Sequence, residues 1–117
     1  MHKVYFFRWI MHNYSTPYAV RILQNLIPAL KPGARVVIND YCLSEPGKEN
    51  PWDERVVRRM DVVMLAVLNA QERTEDEFRA LFRAAGEGFV FKVRFWFWSF
   101  LVGVGRGWRG VEERMVC

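Results

Sequence analysis

Two apolar runs flank one amphipathic stretch near the start of this chain, and their spacing leaves few folds open. Val4-Tyr5-Phe6-Phe7 is a continuous run of bulky residues, the pattern of a strand buried on both faces of a parallel sheet. Ala34 to Ile38 is a second, largely β-branched run. Between them Thr16 is placed as N-cap with Pro17 at the first helical position, and Ala19, Val20, Leu23, Leu26, Ile27 and Leu30 recur at helical spacing. Lys31-Pro32-Gly33 stops that helix. Two strands joined through a crossover of this length run parallel, with a right-handed connection.

The remaining elements extend the same pattern. Ser44 to Pro51 is polar and turn-rich, a surface loop. From Asp53 to about Leu68, Val56, Val57, Met60, Val63, Met64 and Val67 form one apolar face against Glu54, Arg55, Arg58 and Arg59. Asn69 to Arg73 reads as a linker. Thr74 and Glu77 then make a capping box for a helix that carries Phe78, Leu81, Phe82 and Ala85 inward and closes at Gly86. Phe89-Val90-Phe91 reads as the start of a last strand. The order β-α-β-α-α-β is α/β, the C-terminal half of a doubly wound sheet with flanking helices.

Composition narrows the partners. With 117 residues the chain is at most one domain, short for a complete α/β enzyme. Its 51% hydrophobic content excludes general disorder. A net charge of +4 comes from scattered basic residues, with Arg58-Arg59 the only adjacent basic pair, so nucleic acid is not expected as a partner. Cys42 and Cys117 form no CxxC pair or zinc-type cluster, so no metal is expected and a reduced, cytoplasmic setting fits. No secretory signal is read at Met1-His2-Lys3-Val4. The longest uncharged apolar stretch, Phe95 to Gly105, is too short to span a membrane, and no membrane partner is expected.

Three ionisable residues mark a site. His12 follows the first strand, Asp40 follows the second, and Glu72 precedes the capped helix. Ligands of open α/β sheets collect at the carboxyl ends of strands, and a histidine beside carboxylates is an acid/base unit with a tunable pKa. Each has a plainer reading as well: a polar loop residue, a strand terminator, and a charge favouring a helix N-terminus.

The segment Arg8-Trp9-Ile10-Met11-His12-Asn13-Tyr14-Ser15, then Leu26 to Asp40, and Met60 to Leu65 leading to Glu72-Arg73-Thr74, carry a resemblance. Together they resemble the C-terminal part of the S-adenosylmethionine-dependent O-methyltransferases of the plant caffeate and fungal secondary-metabolite type, over about Val4 to Lys92. The resemblance implies a partial Rossmann-like fold of the class I methyltransferases, with His12 as general base and Asp40 and Glu72 flanking it. It implies that Arg8 contacts the cofactor, S-adenosyl-L-methionine, and that Met64 lines the pocket of a small hydroxyl-bearing acceptor, aromatic or polyketide-like. It also implies a homodimer in the full-length family. The family pattern differs at Asn13, usually aspartate, at Tyr14, usually tryptophan, and at Asp40, commonly glutamate.

In that family the glycine-rich cofactor loop lies upstream of the matched region. Gly103-Val104-Gly105-Arg106-Gly107 imitates such a loop at the wrong end of the chain. Poor turnover by this stretch alone is therefore the expectation. Residues 1–92 read as the C-terminal portion of the catalytic domain and 93–117 as a divergent aromatic, Gly- and Arg-rich tail. The tail's residues have codons that can be rich in G and T, the composition of a translated intron or shifted frame. Two functional classes stay open: a methyltransferase catalytic region, and a noncatalytic remnant serving as an interaction module. A basic binding module is a third and weaker reading.

Overall fold

The computed structural model describes residues 3–89, 93–96 and 99–102. Strand β1 (Val4–Arg8) and strand β2 (Arg35–Asn39) pair in parallel, with Val4 opposite Arg35 and Arg8 opposite Asn39. Helix α1 (Thr16–Leu26) makes the crossover and a 310 turn (Ile27–Ala29) extends it. A tight turn then sets β2 on its course: Ala34 donates its N–H to the Lys31 carbonyl at 2.9 Å, and Gly33 takes φ 84°, which a side chain would strain.

The core lies on one face of this pair. Met11, Ala19, Leu23, Val36, Ile38, Phe78, Leu81, Phe82 and Ala85 form it, and Tyr5 and Phe7 pack against it half-buried. The expectation of a first strand buried on both faces is corrected here. Val4 and Phe6 are each 58% exposed, so β1 alternates. Helices α1 and α3 cover the face that carries Tyr5 and Phe7; on the other face Val4 and Phe6 at the edge are exposed while Val37 of β2, opposite Phe6, is buried.

Helix α1 starts one residue earlier than its sequence suggests. Ser15 is the N-cap and Thr16 opens the helix, with no side-chain cap bond. Helix α2 (Pro51–Leu68) is a larger departure. Of its apolar residues only Val57 is buried, while Met60 and Met64 are half-buried and Val56, Val63 and Val67 stand exposed. Its amphipathic period is real, but the described elements that pack most against it are just the short β3 (Cys42–Leu43) and the turn holding His12. No helix among the described residues is long and apolar enough to cross a membrane.

Residues 69–73, read from sequence as a linker, are structured. Asn69 ends α2 in the left-handed region at φ 52°, which asparagine tolerates. Ala70, Glu72 and Arg73 are buried, and β4 (Arg73–Thr74) pairs in parallel with β3. Helix α3 (Glu75–Ala85) then follows its sequence closely. Thr74 accepts the Glu77 N–H at 3.2 Å, Glu77 accepts the Thr74 N–H at 2.7 Å, and Phe78, Leu81, Phe82 and Ala85 are all buried. Thr74→Ala should lower stability by about 1 kcal/mol, read as a lower denaturant midpoint at unchanged slope. An unshifted midpoint would show that solvent replaces the cap at no cost.

Strands β5 (Val93–Trp96) and β6 (Ser99–Val102) form an antiparallel hairpin, and β6 runs beside β2. Residues 90 and 91 of the expected last strand, and the glycine-rich stretch 103–107, lie outside the described residues.

Candidate active site

The two parallel strands deliver their carboxyl ends side by side, and the site is assembled there. Past Arg8 the ladder continues for one bond, Trp9 donating its N–H to the Asn39 carbonyl at 3.1 Å. Trp9 then takes φ 54°, a left-handed conformation that costs a bulky residue roughly 1–3 kcal/mol. Its ring is held 4.6 Å from the Tyr41 ring and 5.5 Å from the His12 imidazole, centroid to centroid. That bend sends the chain into a 310 turn (Met11–Asn13), with Met11 in the core and His12 beside it, 7% exposed. Asn13 braces the bend by donating its Nδ2–H to the Trp9 carbonyl at 2.8 Å.

Asp40, the first residue past β2, is completely buried and accepts the backbone N–H of His12 on Oδ2 at 3.0 Å. Its hydrogen bond fixes the main chain under the imidazole, whereas the sequence suggested two carboxylates flanking the ring. Only Glu72 reaches the ring. The β3–β4 pairing brings Glu72 up, and the Asp61 carboxylate on α2 accepts its backbone N–H at 2.9 Å. Glu72 Oε1 lies 2.6 Å from His12 Nδ1, with both side chains buried.

This contact sets the tautomer. An ionised carboxylate only accepts, so Nδ1 carries the proton and Nε2 keeps the lone pair. Burial pushes the His12 pKa down, but the hydrogen bond and charge of Glu72, then the charge of Asp40 and the Trp9 backbone, raise it above its ordinary value. Asp40 is also raised: burial dominates, opposed by His12 and its backbone bond. Among the described residues, Asp40 Oδ1 and Glu72 Oε2 are buried without a hydrogen-bond partner.

Arg73 is the residue that sequence reasoning missed. It is 1% exposed and donates Nη1–H to the Met11 carbonyl and Nη2–H to the Tyr14 carbonyl, both at 2.9 Å, with Thr16 Oγ1 at 3.5 Å. Its pKa is lowered by burial, against the favourable charges of Asp40, Glu77 and Glu72. Arg8 and Met64 are not drawn into this network. Arg8 is exposed at the end of β1, and Met64 is half-buried on α2, the helix that packs on the His12 turn.

Comparison with known proteins identifies the family. A family described as an O-methyltransferase domain matches residues 2–89. Chlorophenol O-methyltransferase of Trichoderma longibrachiatum is 70% identical over 89 residues, 76% of this chain and 19% of that protein. O-methyltransferase AMT9 of Alternaria alternata is 49% identical over 88 residues, 75% of this chain and 21% of that one. The chain thus spans about one-fifth of the length of these relatives. Among solved structures, LaPhzM superposes with a TM-score of 0.74 at 29% identity, covering 89% of this chain and 30% of that one. LepI in complex with SAM gives a TM-score of 0.69 at 28% identity, covering 87% and 25%.

Proposed function

The chain belongs to the O-methyltransferase domain family, and from that premise we propose that it forms the acceptor side of an S-adenosyl-L-methionine-dependent O-methyltransferase with His12 as general base. Its acceptor is a small molecule with an aromatic or polyketide-like hydroxyl, in keeping with fungal relatives named for a chlorophenol and for the grayanic acid cluster. The observation that carries this reading is the buried 2.6 Å contact between His12 Nδ1 and Glu72 Oε1, which reserves Nε2 for an incoming proton.

The residues fit such a methyl donor. Arg8, exposed at the carboxyl end of β1, would hold it, and the unpaired oxygens of Asp40 and Glu72 favour a nearby cation. Bound S-adenosylmethionine supplies a methyl group on a cationic sulfonium, which leaves as a neutral thioether. A phenol with a pKa of about 10 is a weak nucleophile at neutral pH until its proton departs. His12 Nε2 takes that proton as the oxygen attacks, and Glu72 on Nδ1 stabilises the imidazolium that forms. Asp40 holds the His12 main chain so that the ring does not swing away. Met64, with an adaptable thioether side chain on the helix behind the turn, would line the acceptor's pocket. This portion of the catalytic domain extends over residues 1–92, with 93–117 as the divergent tail.

The test is a graft. Residues 2–89 would replace the matching stretch of the Trichoderma longibrachiatum relative, and methyl transfer to a chlorophenol would be followed with a labelled methyl donor. Turnover within about tenfold of the parent is expected. A folded graft that binds S-adenosylhomocysteine and transfers no methyl group overturns the reading.

A further inference from the structure

We infer that Arg73 is a positioning residue for His12: its guanidinium grips the main chain on both sides of the histidine and thereby sets where the imidazole stands. The turn it grips is weak on its own. It is a three-residue 310 segment, a geometry with poor hydrogen bonds, entered through a left-handed Trp9. Within the turn Asn13 donates to Ile10 at 3.0 Å and Tyr14 to Met11 at 3.2 Å. Arg73 adds a second donor to the Met11 carbonyl and supplies the donor to the Tyr14 carbonyl. A planar fork reaches both carbonyls at once, which a single ammonium does not.

Burial of a guanidinium argues for a specific task. Removing such a charge from water costs several kcal/mol unless it is compensated, and no carboxylate ion-pairs with Arg73 among the described residues. Its bonds go to the carbonyls of the His12 turn and to Thr16. Glu72 is its immediate neighbour in the chain, so one dipeptide holds both ends of the 2.6 Å contact: the carboxylate on the ring and the fork on the turn. A shift of either relative to the other breaks that contact.

This inference rests on His12 acting as the base, and the experiment separates the two. Arg73→Lys and His12→Ala are made in the graft, and Arg73→Lys also in this chain. The lysine keeps the charge and loses the fork. Its kcat is expected to fall roughly 10- to 100-fold, the cost of slight misplacement of a reacting group, with the acceptor KM changed less than about threefold. The acid limb of the rate profile should move to lower pH as the ring parts from Glu72, which leaves the charge of Asp40 as the carboxylate that still raises it. The spectroscopic readout needs no turnover: His2 and His12 are the only histidines, and nitrogen-15 NMR of the chain should show His12 protonated on Nδ1. In Arg73→Lys that signal should become a mixture of tautomers.

A folded Arg73→Lys protein with unchanged kcat and an unchanged His12 tautomer overturns the positioning role. Should the variant fail to fold, the wild-type chain decides: separate, slowly exchanging Arg73 guanidinium protons support the grip, and free rotation like a surface arginine refutes it. Turnover that survives His12→Ala refutes the base instead, while the tautomer readout still tests what Arg73 holds.

Discussion

His12→Ala in the grafted enzyme is expected to lower kcat by about 10²–10⁴-fold, the usual contribution of a positioned general base. The loss should appear in kcat rather than in the affinity for S-adenosylhomocysteine, because in the proposed role the ring takes a proton and does not hold the methyl donor. Alanine removes a buried ring and strands Glu72, whose Oε2 already has no hydrogen-bond partner among the described residues. A loss of roughly 1–3 kcal/mol of stability should accompany it, so the comparison is made well below the variant's unfolding midpoint. Two further observations separate lost chemistry from lost structure: added imidazole should restore part of the rate, and an acceptor with a more acidic phenol should be less affected. Turnover retained within a few-fold, with no response to imidazole, would remove His12 from the reaction.

The site formed by these residues was only partly legible in the sequence. The three ionisable residues could be placed because each sits where an element ends, and parallel pairing of β1 and β2 brings strand ends together. Helix α3 was legible for a local reason: its capping box and its apolar period lie within twelve residues, Thr74 to Ala85. Helix α2 carried an equally clear period, yet Val57 alone is buried. Periodicity shows which face is apolar and says nothing of what covers it. Arg73 was illegible because arginine is rarely buried, and its partners, the Met11 and Tyr14 carbonyls, lie about 60 residues away with no side-chain signature. The division of labour between the two carboxylates was hidden as well. Only the path of the main chain shows that Asp40 binds the His12 backbone while Glu72 binds the ring.

That division makes Glu72→Gln the most informative pH experiment. Glu72 supplies the two largest influences that raise the His12 pKa against burial, its hydrogen bond and its charge. Removing the charge leaves burial to dominate, so the His12 pKa should fall. A general-base His12 acts as the neutral imidazole, so on the proposed mechanism the rate of the graft should rise as pH passes through a His12 pKa above the ordinary histidine value, and the variant's acid limb should lie at lower pH. The plateau should nevertheless drop by roughly 10²–10⁴-fold, because a neutral amide stabilises the imidazolium poorly and can impose the wrong tautomer. Stability gives an independent check with a defined sign. A folded-state pKa raised above the unfolded one contributes stability that is fully present below the unfolded value and is lost as pH rises through the folded value. The wild-type chain should therefore lose stability relative to Glu72→Gln as pH increases through the His12 titration, in paired unfolding curves on either side of it. An acid limb that stays in place would mean that the ring is not coupled to Glu72 in solution. A plateau that falls together with an acid limb that moves down is the joint signature of a carboxylate that both orients the base and carries its charge.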